Sequence, residues 1–128
     1  MPQRLALATL LVRDYDEAIT FYVNAVGFTL AEDTDLGAGK RWVVLQTQSG
    51  AGLLLAQASD DRQTARIGDQ TGGRVAFFLE TDDFAADHAR MTAAGVRFLE
   101  PPRHEPYGTV AVFADLHGNH WDLIEPRR

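Results

Sequence analysis

Apolar residues in this chain come in short runs separated by polar and glycine punctuation. Leu5 to Val12 (LALATLLV) is nearly unbroken apolar sequence and predicts a buried strand. Asp14 follows as a helix N-cap, with Asp16 and Glu17 in the first turn, where the helix dipole favours acids. Ala18, Phe21, Tyr22 and Ala25 then recur at helical spacing, which places both aromatics in the core, and Gly27 is the expected C-cap. Phe28 to Glu32 reads as a strand and Asp33 to Gly39 as turn residues. Arg41 to Thr47 and Gly52 to Gln57 read as two more strands, joined by a turn at Gln48 to Ala51.

Residues 58–72 are polar, end at Gly72-Gly73 and read as a mobile linker. The pattern then returns. Arg74 to Glu80 is a strand, and Asp82 or Asp83 caps a helix that reaches about Ala94, where Gly95 stops it. Val96 to Leu99, Gly108 to Phe113 and His120 to Glu125 are strands. Pro101-Pro102 and Pro106 bracket a stiff, helix-free loop. Two copies of one strand–helix–strand–strand–strand unit are therefore expected, with module one over 1–57, a linker over 58–72 and module two over 73–128. An ungapped offset of 68 residues aligns Ala8 with Ala76, Asp14 with Asp82, Gly27 with Gly95, Gly50 with Gly118 and Leu55 with Leu123. The fold class is α+β, and a duplicated unit that pairs with itself predicts a shared concave surface.

Composition narrows the chemistry. A 45% hydrophobic fraction over 128 residues supports one sizeable core. With no cysteine, disulfides, thiolate metal ligands and thiol nucleophiles are excluded. A net charge of −6 argues against nucleic acid, which needs a basic footprint. No apolar stretch fits a signal peptide or a membrane span, so a cytoplasmic location is expected.

The tandem βαβββ arrangement, with LLVRDYDEAITFYVNAVGF (10–28), TDDFAADHARMTAAGVRF (81–98) and VFADLHGNHWDLIEP (112–126), resembles the vicinal oxygen chelate superfamily of glyoxalases, bleomycin-resistance proteins and extradiol dioxygenases. Asp115 to Leu123 is similar to that superfamily's D-P-x-G-N-x-x-E-L ending. The resemblance implies a half-barrel groove, dimerisation and, in catalytic members, a divalent metal held by His, Gln or Glu at four strand positions. Those positions fall at Leu7 or Ala8, Val75 or Ala76, Leu54 and Asp122. Three are aliphatic, and one carboxylate does not hold a catalytic metal, so no cofactor is expected.

Asp122 and Glu80 are the candidate general bases, provided that a groove desolvates them. Arg74, Ala76, Phe78 and Glu80 share one strand face by period two, opposite Val75, Phe77 and Leu79, which favours Ala76 as the groove-facing position. If Asp122 points inward, Trp121 is core. Trp42 and Leu54 are the ligand-binding candidates of module one, and Arg74, Phe78, Tyr107 and His120 are those of module two. His120 flanks Asp122 on one face. His104, Glu105 and Tyr107 lie in the proline-bracketed loop, which is able to close over a groove. His88 reads as a helix-surface residue and His117 as a solvated turn residue.

The preferred reading is a metal-free small-molecule binding protein of bleomycin-resistance type that takes a cationic or aromatic ligand as a homodimer. The alternatives are a divergent metal-dependent glyoxalase-like lyase or extradiol dioxygenase using Asp122, Glu80 and His120, and a metal-free isomerase or hydrolase acting through Asp122.

Overall fold

The computed structural model describes residues 1–128. The chain forms two compact units, Met1–Ile67 and Gly68–Arg128, so the division falls inside the polar stretch assigned to a linker.

In the first unit, β1 (Leu7–Val12), β2 (Thr29–Gly37), β3 (Lys40–Gln46) and β4 (Gly52–Gln57) form one sheet in the order β1-β4-β3-β2. β1 runs parallel to β4, and the other pairs are antiparallel. The helix α1 (Tyr15–Thr20) starts at Asp14, whose carboxylate accepts from Glu17 N–H at 3.1 Å. It continues as a π-helical stretch, Phe21–Val26, that ends at Gly27 with φ 113°. This helix covers Leu10, Val12, Val43, Leu45, Leu53 and Leu55, with Ala18 and Tyr22 fully buried. Phe21 is only half-buried, which corrects the expectation that it is core. The π-helical winding advances each residue by less than the α-helical angle, so the spacing that put Phe21 and Tyr22 on one face no longer holds.

The segment expected as a turn over 33–39 is instead strand as far as Gly37. Only Ala38 and Gly39 turn, with φ of 55° and 80°, the two left-handed residues of a type I′ hairpin. Every residue of β2 is exposed, so burial does not select this strand. Arg41 supplies the tie. Its guanidinium grips Asp33 through Nε (3.1 Å) and Nη2 (2.7 Å), reaches Asp16 at 3.0 Å and lies 5.1 Å over the Tyr15 ring. Past Glu32 the strand is polar, held by a hairpin turn and a fork-shaped ion pair, and carries no apolar alternation, which is why pattern reading ends it there.

The stretch 58–72 holds a one-turn helix, α2 (Asp61–Thr64), capped by Asp60 onto Gln63 N–H at 2.8 Å. The second unit contains β5 (Val75–Glu80), α3 (Phe84–Ala93), β6 (Arg97–Phe98), β7 (Arg103–Glu105), β8 (Gly108–Ala114) and β9 (His120–Pro126). Its sheet runs β5-β9-β8-β6, with β7 also on β8. Asp83 caps α3 through Ala86 N–H at 3.1 Å, and the Glu125 carboxylate takes Phe84 N–H at 2.7 Å, fastening the helix to β9. Under α3 lies a chain of rings: Phe77 on Trp121 (4.7 Å), Trp121 on Phe113 (5.8 Å), Phe113 on Phe98 (5.6 Å) and Phe98 on His88 (4.2 Å). His88 is therefore a half-buried member of an aromatic stack and not a free surface residue.

Two further expectations change. Residues 103–105 are a strand paired with β8, and only Pro106 and Tyr107 turn, so His104 to Tyr107 is a pinned hairpin and not a closing loop. Asp115 is buried and binds the chain end of its own turn. Its Oδ1 accepts from His117 and Asn119 N–H, both at 2.9 Å, and its Oδ2 from Asn119 Nδ2 at 3.0 Å. The Asp115–Asn119 motif thus builds the β8–β9 turn.

The 68-residue repeat also hides two compensating insertions. Leu54 and Asp122 keep that offset, yet their ladder neighbours are Thr9 and Phe78, which lie one residue further apart. The N-caps Asp14 and Asp83 are shifted likewise. A register irregularity between Val75 and Phe77 adds a residue to β5, and the π-helical stretch adds one to the first helix, so Gly27 and Gly95 realign.

Candidate functional site

The site is built on the face of the second sheet that α3 does not cover. On β9, Trp121 and Leu123 are buried beneath the helix, so period two turns His120, Asp122 and Ile124 the other way. The ladder then fixes their neighbours. Phe78 stands beside Asp122, with Val112 on its other side. Glu80 stands beside Ile124, followed by Val110 and Arg103. A residue abreast on a neighbouring strand lies about 5 Å away, so Phe78 and Asp122 form a contiguous surface. Phe78 leaves 67% of its surface exposed, unusual for an aromatic ring inside a strand.

Asp122 is the most perturbed acid of this face. Its Oδ1 is buried and has no hydrogen-bond partner. Burial pushes its pKa up. The Arg103 guanidinium opposes that shift, and the Glu100 carboxylate adds to it. A desolvated carboxylate oxygen without a partner is rare in native proteins, and such groups concentrate where a ligand or a proton is handled.

On the neighbouring edge lies a cluster in which sequence reading singles out Glu105 and Tyr107 but misses Arg103 and Glu100. Arg103 donates through Nε to Glu100 at 2.9 Å and through Nη1 to Glu105 at 3.2 Å. These two carboxylates and the Tyr107 hydroxyl hold the guanidinium firmly in its charged form. Glu100 also accepts the Val112 N–H at 3.1 Å, filling the gap in the β8 ladder between β6 and β7. The period-two placement of Arg103 and Glu105 was the available signal, masked by the prolines on either side.

The other candidates are distributed as follows. Glu80 and His120 share the face of Asp122 and Phe78. Ala76 sits at the β5 irregularity, and Phe78, itself a ligand-binding candidate, stands beside Asp122. The same irregularity breaks the period-two link to Arg74, an exposed residue before β5 whose carbonyl accepts from Thr71 Oγ1 at 2.6 Å. Tyr107 lies in the β7–β8 turn and is half-exposed. Trp42 and Leu54 belong to the first unit. There Leu54 lies in a row with Thr9, Val44 and Glu32, and Trp42 donates its indole N–H to Glu32 at 3.0 Å.

No three His, Cys, Asp or Glu side chains gather closely enough to hold a metal ion. Leu54 offers no donor atom to a metal. A shallow depression of about 420 Å³ at the β2–β3 tip is lined by Asp33, Asp35, Gly37, Ala38, Gly39 and Arg41. Its carboxylates are already engaged, Asp33 by Arg41 and Asp35 by Gly37 N–H. No helix is long and apolar enough to cross a membrane.

Comparison with known proteins agrees with this architecture. An uncharacterised protein of Shewanella frigidimarina (strain NCIMB 400) is 52% identical, over 98% of this chain and 95% of its own. The crystal structure of UcmS2 superposes with a TM-score of 0.83 at 30% identity, covering 97% of this chain and 98% of that one. That of TnmS3, an antibiotic binding protein from Streptomyces sp. CB03234, gives 0.79 at 30% identity over 98% of both chains. The model of the Glyoxalase/Bleomycin resistance protein/Dioxygenase superfamily matches residues 4–123, and this chain belongs to that superfamily.

Proposed function

We propose that this protein binds a small molecule, cationic or aromatic, on the helix-free face of its second sheet, without a metal and without turnover. The observation that carries this reading is the pairing of an exposed ring, Phe78, with a desolvated, unpartnered carboxyl oxygen on Asp122. The ring offers stacking surface, and the carboxyl offers one strong acceptor or one proton. The likeness to an antibiotic binding protein supports binding over catalysis. The protein is proposed to act in the cytoplasm as a homodimer, since β2 leaves a long exposed strand at a sheet edge.

Calorimetric titration with 1-(aminomethyl)naphthalene tests the site. Wild type binds, and Phe78→Ala weakens binding by about tenfold, equal to the burial of part of one ring, while keeping its thermal transition. Equal binding by both proteins would move the site elsewhere. Retention of one Mn, Fe, Ni or Zn ion per chain after dialysis, together with lyase or dioxygenase activity, would replace this reading with the metal-dependent one. Sedimentation of a monomer at micromolar concentration would remove the dimer.

A further inference from the structure

The row that crosses the second sheet at Asp122 is longer than the pair at its centre. Phe78 on β5 stands abreast of Asp122 on β9, and Asp122 abreast of Val112 on β8. Leu99 extends it. Phe98 pairs with Phe113, and Leu99 continues the same antiparallel register by one residue, donating its N–H to the Val112 carbonyl at 2.8 Å. Phe98 and Phe113 face α3 in the ring stack, so alternation turns Leu99 and Val112 to the helix-free side. Leu99 is 41% exposed and Phe78 67%, at opposite ends of a row three strand spacings wide, roughly 14 Å. The rows on either side differ. One carries His120 and Arg97, and the other carries Glu80 and Arg103. The Asp122 row is thus an apolar strip between two charged ones, interrupted by a single carboxyl whose Oδ1 has no partner.

Resting on the binding reading above, we infer that Leu99 is a further ligand-binding residue and sets the length of the site: the ligand is a flat molecule of three rings fused in line, with its positive group on the middle ring. The orientation follows from the strip. A flat ligand laid along the strands would place its apolar ends over the flanking charges, which would lose water without gaining partners. Laid across the strands, it covers Phe78, Val112 and Leu99 and leaves those charges in solvent. The length follows from the spacing. One aromatic ring covers little more than one strand spacing, so a shorter ring system that keeps its contact with Phe78 stops short of Leu99. Asp122 lies inside the row, one strand from Phe78 and two from Leu99. The group that meets it therefore branches from the middle of the ring system and not from its tip.

Two amines that differ by one ring test it, 1-(aminomethyl)naphthalene and 9-(aminomethyl)anthracene. The second carries the same aminomethyl group on the same ring, with a further ring fused on its other side. Calorimetric titration into wild type is expected to favour the anthracene by about tenfold. Leu99→Ala is expected to cut that advantage by about fivefold, the scale of burying part of one aliphatic side chain, and Leu99→Met, which keeps the bulk, to preserve it. Phe78→Ala is expected to weaken both amines alike. A second measurement needs no variant to fold. In methyl NMR spectra of wild type, the Leu99 methyl resonances should shift under the ring current of the bound anthracene and stay in place with the naphthalene. An undiminished anthracene advantage in Leu99→Ala, or Leu99 methyls that the bound anthracene leaves in place, overturns the inference. Failure of wild type to bind either amine would instead sink the binding reading on which it rests.

Discussion

Phe78 on β5 and Asp122 on β9 stand abreast in a parallel ladder, one with its ring in solvent and the other with a carboxyl oxygen sealed from it. The pairing depends on the extra residue that β5 accommodates between Val75 and Phe77. Without that irregularity a ring of the aromatic stack under α3 would be misplaced, because one residue of slip moves every side chain of a strand to the opposite face.

Replacing Asp122 with Asn should make the fold more stable at neutral pH, by about 1 kcal/mol, since it removes a charge that burial disfavours. The sign follows from the direction of the shift. The folded state holds the Asp122 proton more tightly than the unfolded chain does. This site therefore stabilises the fold below its unfolded pKa, and that contribution is lost as pH rises from 3.8 through the raised value. Urea denaturation of both proteins across the acid range should show wild type and Asp122→Asn converging as pH falls. Parallel curves would mean that Asp122 titrates normally. Asp33, which the Arg41 hydrogen bonds hold below its usual range, works in the opposite sense and loses its contribution at lower pH still.

Gly68 and Gly72 are both left-handed but differ in their surroundings. A Cβ on Gly68 would lie 2.0 Å from the His117 carbonyl oxygen, whereas nothing lies within 4 Å of one on Gly72. Gly72→Ala should cost about 1 kcal/mol for the backbone alone. Gly68→Ala adds a clash with backbone that cannot yield locally, and should cost roughly 2–4 kcal/mol. Chemical denaturation midpoints separate the two. Similar losses would show that the Gly68–His117 approach relaxes freely.

Ala38 is the one non-glycine residue with positive φ, at 55°. Ala38→Gly should relieve left-handed strain, and Ala38→Asn should do so with a side chain suited to this turn. Each should stabilise the hairpin by about 0.5–1 kcal/mol. A fall in thermal stability for both would mean that the methyl group of Ala38 makes contacts worth more than the strain.

Much of this molecule was readable from the order of its residues. The duplicated unit, its strands, the Asp14 cap and the glycine stops follow from local rules: apolar period, capping oxygens and left-handed backbone, each needing only a few neighbours in sequence. The superfamily came from a resemblance, carried by residues 10–28, 81–98 and 112–126, and not from those rules. What the sequence left open depended on partners far along the chain. β2 runs on past Glu32 to Gly37 because Arg41 and a type I′ turn hold it, not because those residues favour a strand. The π-helical stretch and the β5 irregularity cancel in the count of residues, so an ungapped repeat concealed them. Phe78 meets Asp122 because that irregularity resets the register of β5. The Arg103 cluster exists because β7 folds back on β8, bringing Glu100 into the ladder gap at Val112. Periodicity fixes which face a residue takes relative to its neighbours in the strand. Only tertiary pairing decides which residue of another strand it meets there, because register depends on one-residue irregularities that the pattern absorbs without trace.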